Sequence, residues 1–256
     1  MDRFCFVLSD SDNRMRCLKS ELEKLHAPSG RPCYVFSPNV LLDFEMVSEL
    51  SDYAVLFYGR ATDEAISLFE SKELTTFCLL KDEEFAAKNA ILTAEATLSI
   101  LIDRSPLALS ELNVLIVGFG RIGAALASLL CRLGVRTTIA TSASSRPARA
   151  FCEHVIPISE LDFSQYNAIV NTAPVCIAND QQVLSLKPQT LFIDVASKPS
   201  INLAFANYLG IDAAIYPALP TKFSPLSAAK IIKDFIVENL EMISKADVTD
   251  ETKLQN

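Results

Sequence analysis

The 256-residue chain has few of the residues that build several common kinds of site. It contains no tryptophan, only 2 histidines and 7 glycines, and none of its 7 cysteines forms a C-x-x-C pair. The sequence therefore offers no cluster of ligands that would support a metal site. Single cysteines in apolar runs are typical of buried thiols in a reducing compartment, which predicts a cytoplasmic protein.

Basic charge and long apolar runs are also missing. The net charge is -8 and the pI about 4.9, which excludes the basic footprint of a nucleic-acid-binding protein. No apolar run reaches the roughly 18 residues of a membrane span, so the sequence predicts no membrane contact. The short apolar stretch at residues 1–8 is followed by no cleavage site of a signal peptide. The remaining composition is that of a globular protein with room for two modest domains.

Three of the seven glycines fall close together in residues 113–123, NVLIVGFGRIG. The apolar run 114–117 is typical of a strand buried on both faces of a parallel sheet, and a helix-forming run follows the glycines. Gly118, Gly120 and Gly123 form G-x-G-x-x-G between that strand and that helix, as in the phosphate-binding turn of a Rossmann domain. The segment predicts dinucleotide binding at a helix N-terminus. A Rossmann turn that holds no ligand is the alternative.

The alternation of strands and helices predicts an α/β protein of two domains. In the first domain we expect a short helix at residues 40–50, among strands. At the other end of the chain, the apolar positions after Pro225 predict a helix that ends near residue 244. The predicted organisation is an α/β, substrate-side domain at residues 1–88, a linking helix at 89–109, a Rossmann domain at 110–222, a C-terminal helix at 223–245 that packs back on the first domain, and a flexible tail at 246–256.

No acidic residue follows the second strand of the predicted Rossmann domain. NAD-binding domains usually carry Asp or Glu there, about 20 residues after the first glycine, to bind the ribose 2′-hydroxyl. Here Thr141 and Ser142 are followed by Arg146 and Arg149, and the first acid is Glu153. Hydroxyl and guanidinium groups suit a 2′-phosphate, which predicts NADP as the cofactor. A solvated, serine-rich loop without a ligand is the alternative.

Polar loops follow two later strands of the same domain. The segments 171–174 and 196–197 come after the predicted strands 166–170 and 191–195. Because the carboxyl ends of parallel strands share one edge of a sheet, we expect both loops to hold the nicotinamide half of the cofactor. The complete predicted cofactor-binding set is Gly118, Gly120, Arg121, Ile122, Gly123, Thr141, Ser142, Arg146, Asn171, Thr172, Ala173, Pro174, Ala196 and Ser197.

Five segments in chain order resemble the A-subunit family of dipicolinate synthase: NAILTAEATLSI, NVLIVGFGRIGAALASLL, IVNTAP, FIDVASKP and ALPTKFSPLSAAKII. The match covers residues 89 to about 241. The resemblance implies a small flavodoxin-like N-terminal domain, a Rossmann domain and a C-terminal helix that returns to the first domain. It also implies NADP-dependent oxidation of dihydrodipicolinate during sporulation. A flavoprotein-like B subunit is then an expected partner. Assembly with further copies of this chain, as a homo-oligomer, is the other expectation.

The sequence departs from this family at several glycines. The family has glycine where this chain has Ala96, Ser200, Ile201 and Thr221. Loss of glycine at a turn alters the accessible backbone conformations or closes an approach to a ligand. A non-catalytic NADP-binding subunit that needs or regulates a partner is therefore the strongest alternative to an enzyme.

If the resemblance holds, the substrate is a small dicarboxylate that requires cationic groups. Lys222 and Arg14 are the first candidates, with Lys198 and Arg60 behind them. For each, a solvated surface cation is the alternative.

The resemblance also suggests which groups act on the reacting ring. Glu95 would accept a proton or orient a donor, and Ser197 would bind a carboxylate or the nicotinamide amide. Lys222 completes the predicted catalytic set, and Thr93 is expected to contact the substrate. A solvent-facing Glu95 without a catalytic role is the alternative.

Two other enzyme classes share parts of this pattern. A 2-hydroxyacid dehydrogenase needs a late histidine as its proton relay, whereas the two histidines here, His26 and His154, lie outside the late loops. Reductases similar to shikimate dehydrogenase share the N-T-x-P turn at residues 171–174.

Overall fold

The computed structural model describes residues 4–9, 12–22, 30–142, 152, 154–196 and 198–253. The chain divides into two compact units, one of Met1–Asn89 with Pro220–Asn256 and the other of Ala90–Leu219. Each unit contains a parallel β-sheet with helices, so the predicted two-domain α/β fold is confirmed.

The first unit is built on a four-stranded parallel sheet in the order β1-β2-β4-β6. A two-stranded parallel sheet, β3-β5, accompanies it. The order follows the chain and differs from the 2-1-3-4-5 order of flavodoxin, so the likeness lies in the parallel α/β architecture. The elements are β1 (Phe4–Leu8), α1 (Asn13–Leu22), β2 (Arg31–Val35), β3 (Leu41–Leu42), α2 (Phe44–Ser48), β4 (Val55–Tyr58), β5 (Arg60–Ala61), α3 (Asp63–Ser71) and β6 (Thr75–Cys78).

The predicted helix at residues 40–50 is partly wrong, because the segment begins as a strand. Leu41 is half exposed and Leu42 is buried, which is the alternation of a strand with one covered face. The helix begins only after Asp43, whose side chain accepts a hydrogen bond from Met46 N at 2.9 Å. This N-cap satisfies one of the free amides at the helix start and fixes the boundary.

The C-terminal helix α9 (Pro225–Lys253) packs within the first unit. Its buried Ile232, Ile236 and Leu240 share one hydrophobic cluster with Met15 and Leu18 of α1. Full burial of one such side chain contributes about 1.5–3 kcal/mol, so this stripe anchors the helix. The helix continues beyond residue 245, where the sequence pattern predicts a tail, because neither glycine nor proline follows Pro225 to stop it.

The second unit holds a six-stranded parallel sheet in the order β12-β11-β10-β7-β8-β9. Counted from β7, this is the Rossmann order 3-2-1-4-5-6, in which the strand order reverses between β7 and β10. The elements are β7 (Asn113–Val117), α5 (Arg121–Arg132), β8 (Arg136–Thr141), β9 (His154–Pro157), β10 (Ala168–Asn171), α6 (Asp180–Val183), β11 (Leu191–Asp194), α7 (Leu203–Tyr208) and β12 (Asp212–Ile215).

Strand β7 lies at the centre of this core. Val114 and Ile116 pack in the cluster on one face of the sheet, and Leu115 and Val117 pack in the cluster on the other. All four side chains are fully buried, as the uninterrupted apolar run predicts for a central parallel strand.

Two helices lie where the chain passes between the units: α4 (Glu83–Arg104) and α8 (Leu219–Phe223). Helix α4 has 22 residues, about 33 Å at the usual rise. Its length and mean hydropathy of 1.3 would also suit a membrane span, but 56% of that apolar window is buried inside the protein. Core helices of globular proteins have the same properties.

Candidate functional site

The glycine turn after β7 can be built only with glycine at two of its three motif positions. Gly118 has a φ of +98°, and a Cβ atom there would lie 2.6 Å from Thr172 Oγ1. A Cβ atom on Gly123 would lie 2.2 Å from the carbonyl oxygen of Gly118. Both approaches are closer than Cβ contacts allow, so these glycines let α5 pack against the turn.

Gly120 differs from the other two, because its open side faces no part of the described structure. A Cβ atom built there would meet no atom of the described residues within 4 Å. Gly120 is the N-cap of α5, and the first turn of that helix carries Arg121 and no acid. The amides and the dipole at a helix N-terminus favour an anion. The geometry therefore leaves room for an anion such as a phosphate beside Gly120. Ile122, in the first turn of the helix, is half-buried.

The loop after β10 is fastened to this turn through Thr172. The Thr172 amide donates to Val117 O at 2.8 Å, and its hydroxyl donates to the same oxygen at 3.0 Å. Ala173 and Pro174 follow, the first half-buried and the second exposed. The structure thus brings the predicted residues 171–174 beside the glycine turn, at the point where the strand order reverses.

A buried polar network lies beside this loop at the ends of β10 and β11. Asn171, Asp194 and Ser200 are each 0% exposed. Asn171 Nδ2 donates to Asp194 Oδ1 at 3.0 Å, and Ser200 Oγ donates to Asp194 Oδ2 at 2.6 Å. Sequence reasoning assigned no role to Asp194 or Ser200. The sequence did contain a signal for this network: Asp194 directly ends a buried apolar strand. A carboxylate buried there requires hydrogen-bond donors because its burial is costly.

The end of β8 carries hydroxyl groups, as the sequence shows. Thr141 is buried and Ser142 is exposed. The glycine turn lies against this strand, since Gly118 N donates to Ala140 O at 2.8 Å. Arg146 and Arg149 lie outside the described residues, so the preference for NADP stays a prediction.

The loop after β11 contains three predicted residues. Ala196 is buried, and its amide donates to Asp194 Oδ1 at 3.0 Å. Lys198 is exposed. Ser197 lies outside the described residues, so its two proposed roles stay predictions.

The polar residues of α4 have different environments. Thr93 is only 6% exposed, and its carbonyl oxygen accepts a hydrogen bond from Thr97 Oγ1 at 2.8 Å. Glu95, two residues further on, is exposed. The Glu95 side chain is therefore accessible, whereas Thr93 offers little surface to a substrate.

Arg14 is not a surface cation. Its side chain is 2% exposed, and its Nη2 donates to Ser37 Oγ at 2.7 Å and to Asp12 Oδ2 at 3.2 Å. Burial by itself raises the pKa of the Asp12 carboxyl, but the hydrogen bond from Ser37 and the charge of Arg14 outweigh it and hold that pKa below its ordinary value. Burial lowers the pKa of the Arg14 guanidinium. Its Nε has no hydrogen-bond partner within the described structure.

The other two predicted cations are exposed. Lys222 lies on α8, and Arg60 lies on β5, where its Nη2 donates to Asn39 O at 2.7 Å. An exposed lysine retains full freedom to bind a carboxylate, but exposure alone does not distinguish a ligand from a solvated surface charge.

The replaced family glycines occupy positions where other residues fit. Outside glycine, positive φ angles among the described residues occur only at Tyr53, Glu73 and Ala218. The substituted residues Ala96, Ser200, Ile201 and Thr221 are therefore free of left-handed strain. Ala96 and Ile201 pack in hydrophobic clusters, and Ser200 binds Asp194. The altered turns thus have an ordinary backbone conformation.

Metal ligands and histidines were the features of two other kinds of site. The part of the chain that the structure describes has no group of three or more potential metal ligands. His154 is exposed at the amino end of β9, opposite to the edge that carries the glycine turn, and His26 lies outside the described residues.

Comparisons with known proteins agree with this geometry. No family model matches the chain. The sequence is 25% identical to the A subunit of dipicolinate synthase from Bacillus subtilis over 215 residues, which cover 82% of this chain and 72% of that protein. The crystal structure of the A subunit of dipicolinate synthase from Bacillus subtilis matches with a TM-score of 0.78 and 19% identity, over 96% of this chain and 98% of that one.

A second fold likeness is more distant. The apo structure of D-lactate dehydrogenase from Escherichia coli matches with a TM-score of 0.66 and 11% identity, over 95% of this chain and 97% of that one. Fold alone does not carry over an activity. The architecture is that of Rossmann proteins, and the resemblance read from the sequence is confirmed: the chain is a divergent relative of the A subunit of dipicolinate synthase.

Proposed function

We propose that this protein is an NADP-dependent oxidoreductase that oxidises dihydrodipicolinate to dipicolinate. The observation that carries the proposal is the glycine turn, which leaves open space beside Gly120 at the strand-order reversal of a Rossmann sheet. The likeness to the A subunit of dipicolinate synthase supports the choice of reaction. A cytoplasmic role in sporulation belongs to the same proposal.

The cofactor would lie across the carboxyl edge of the second unit's sheet. Its pyrophosphate would meet the α5 N-terminus at Gly120 and Arg121. The ribose 2′-phosphate would meet exposed Ser142 first, where a carboxylate is missing, and Thr141 ranks behind it because its side chain is buried. Residues 171–174 and 196–197 would border the nicotinamide.

NADP⁺, when bound, supplies the hydride acceptor. The dihydropyridine ring loses a hydride and a proton and becomes aromatic, which supplies much of the driving force. The protein then mainly has to orient the ring and receive the proton. We assign the proton to exposed Glu95 and the orientation of the ring to Ser197.

The two carboxylates of the substrate require cationic partners. Lys198 and Lys222 are the first candidates because both ammonium groups are exposed. Arg14 ranks behind them, since Asp12 and Ser37 already bind its guanidinium and the side chain is 2% exposed. Thr93, a neutral candidate for substrate contact, also ranks low because only 6% of it is exposed.

A titration of the purified chain with NADPH and with NADH, followed by cofactor fluorescence, tests the cofactor. We expect NADH to bind at least about tenfold more weakly, a difference of about 1.4 kcal/mol. Failure to bind either cofactor contradicts the proposal for this chain alone.

Turnover of dihydrodipicolinate, assayed with and without a flavoprotein-like B subunit, tests the reaction. Turnover by this chain alone supports the proposed enzyme. Binding of NADPH without turnover in either assay favours the non-catalytic NADP-binding subunit instead.

A further inference from the structure

Asp194 uses both of its carboxylate oxygens within the protein. Oδ1 accepts from Asn171 Nδ2 and from Ala196 N, each at 3.0 Å. Oδ2 accepts from Ser200 N at 2.8 Å and from Ser200 Oγ at 2.6 Å. Four donors around a wholly buried carboxylate are what the cost of burying this group requires.

The two backbone donors belong to the two ends of one short loop. Ala196 and Ser200 are four residues apart, and both amides bind the same carboxylate. Lys198 lies midway between them and is exposed. Asp194 therefore joins the two ends of a loop, residues 196–200, whose cationic residue is Lys198.

The third donor connects this loop to the glycine turn. Asn171 Oδ1 accepts from Ala173 N at 3.2 Å, and Asn171 Nδ2 also donates to Ala173 O at 2.9 Å, so this side chain shapes its own loop. Thr172 binds Val117 at the start of the turn. A continuous series of hydrogen bonds thus joins the phosphate-side turn to the Lys198 loop through Asp194.

We propose that Asp194 is a positioning residue that sets the Lys198 loop for the substrate carboxylate and keeps it in register with the cofactor-binding loops. The inference rests on the proposed function and extends it, since it assigns the exposed cation of this loop to the dicarboxylate. The same loop would border only the nicotinamide end of the dinucleotide, whose pyrophosphate would meet the glycine turn. Loss of the Asp194 carboxylate should weaken dicarboxylate binding much more than cofactor binding.

The substitution Asp194→Asn tests this at constant side-chain size. Both oxygens of Asp194 face a backbone N–H, one from Ala196 and one from Ser200. The amide NH₂ of asparagine must therefore face one of these two donors, whichever way it is turned. One end of the loop loses its hydrogen bond while the strand is left intact.

A control substitution lies at the opposite end of the same strand. Thr190 is 1% exposed, and its hydroxyl donates to Tyr166 O at 3.2 Å. Thr190→Val removes a buried hydrogen bond of β11 at the sheet edge remote from the glycine turn. It should lower thermal stability without changing either affinity.

Dissociation constants for NADPH alone, and for dipicolinate at saturating NADPH, are measured for each variant beside its melting temperature. For Asp194→Asn we expect dipicolinate to bind at least about tenfold more weakly and NADPH to change less than about threefold. Ser200→Ala keeps three of the four donors and should give a smaller loss of the same kind. It also keeps the test decisive if Asp194→Asn fails to fold.

The outcomes separate the two proposals. Equal losses of both affinities in the Asp194 and Ser200 variants, or no loss, overturn the positioning role while the proposed function stands. A similar loss of dipicolinate affinity in Thr190→Val also overturns it, because general destabilisation would then be the cause. Wild-type protein that binds no NADPH, or binds NADPH but no dipicolinate, contradicts the proposed function and the positioning role with it.

Discussion

Gly123 lies so close to Gly118 that a Cβ atom on the first would be 2.2 Å from the carbonyl oxygen of the second. The obstacle is backbone, which cannot move without shifting the end of β7 or the start of α5. We therefore expect Gly123→Ala to lower the free energy of unfolding by about 3 kcal/mol or more, in the upper range for one substitution. Urea unfolding followed by circular dichroism measures it, and a change below about 1 kcal/mol would show that the turn relaxes easily.

Gly120 predicts the opposite combination of effects. Its φ of -81° suits any residue, and a Cβ atom there would meet no atom of the described residues within 4 Å. Gly120→Val should lower the melting temperature only slightly, because valine is a poorer N-cap than glycine. It should weaken NADPH binding by about a hundredfold or more, because the branched side chain would occupy the space that we assign to the pyrophosphate. Unchanged NADPH affinity in a folded Gly120→Val variant would place the cofactor elsewhere.

The sequence was a good guide to this part of the molecule because each local signal had one structural solution. The apolar run before Gly118 can be buried only in the centre of a parallel sheet, and the glycine spacing fits only a tight strand-to-helix turn. The segment at 40–50 was harder, since Leu41 and Leu42 form a strand only by pairing with Arg60 and Ala61 far along the chain. Such a pairing leaves no periodic pattern in its own segment.

The candidate site was only partly predictable for a similar reason. The role of Asp194 depends on four donor groups supplied by Asn171, Ala196 and Ser200. The burial of Arg14 likewise depends on Asp12 and on Ser37, which lies far along the chain. A residue type in a polar loop indicates that a charge is present, but not whether the folded chain pairs it. The sequence thus predicts Arg14 as a ligand of the substrate or a solvated cation, whereas in the structure Asp12 and Ser37 bind its guanidinium.

The pair formed by Asp12 and Arg14 predicts a pH-dependent contribution to stability. The pKa of the Asp12 carboxyl is lower in the folded protein than its ordinary value, so the contribution is complete above the ordinary pKa of about 3.9 and is lost as the pH falls through the folded value. Asp12→Asn should cost about 1–3 kcal/mol at pH 7 and progressively less below pH 4. Urea unfolding of both proteins between pH 7 and pH 3 measures the difference.

A matched control for that experiment is Asp103→Asn, because the side chain of Asp103 is exposed. Its free energy of unfolding should stay within about 0.5 kcal/mol of the wild type at pH 7. If the effect of Asp12→Asn is the same at pH 3 as at pH 7, the carboxylate charge is not its source.

The apolar stripe of α9 predicts a strong dependence of the first unit on its C-terminal helix. Ile236 is 0% exposed in the cluster with Met15 and Leu18, so Ile236→Ala should cost about 2–5 kcal/mol. Leu226, on the same helix, is 73% exposed, and Leu226→Ala should change the free energy of unfolding by less than about 0.5 kcal/mol. Similar values for the two variants in urea unfolding would show that α9 does not stabilise the unit.

The choice between NADP and NAD should depend on the end of β8, where Thr141 is buried and Ser142 is exposed. A carboxylate at this point repels a 2′-phosphate and accepts hydrogen bonds from a ribose 2′-hydroxyl. Ser142→Asp should therefore weaken NADPH binding by about tenfold or more, about 1.4 kcal/mol, and should leave NADH binding equal or stronger.

Ser142→Asn is the control of equal size without the charge, and it should retain most of the preference for NADPH. Fluorescence titration of both variants with both cofactors measures the ratio. A ratio that is the same in Ser142→Asp as in the wild type would mean that the 2′-phosphate is recognised at another place, and the assignment of Thr141 and Ser142 would be wrong.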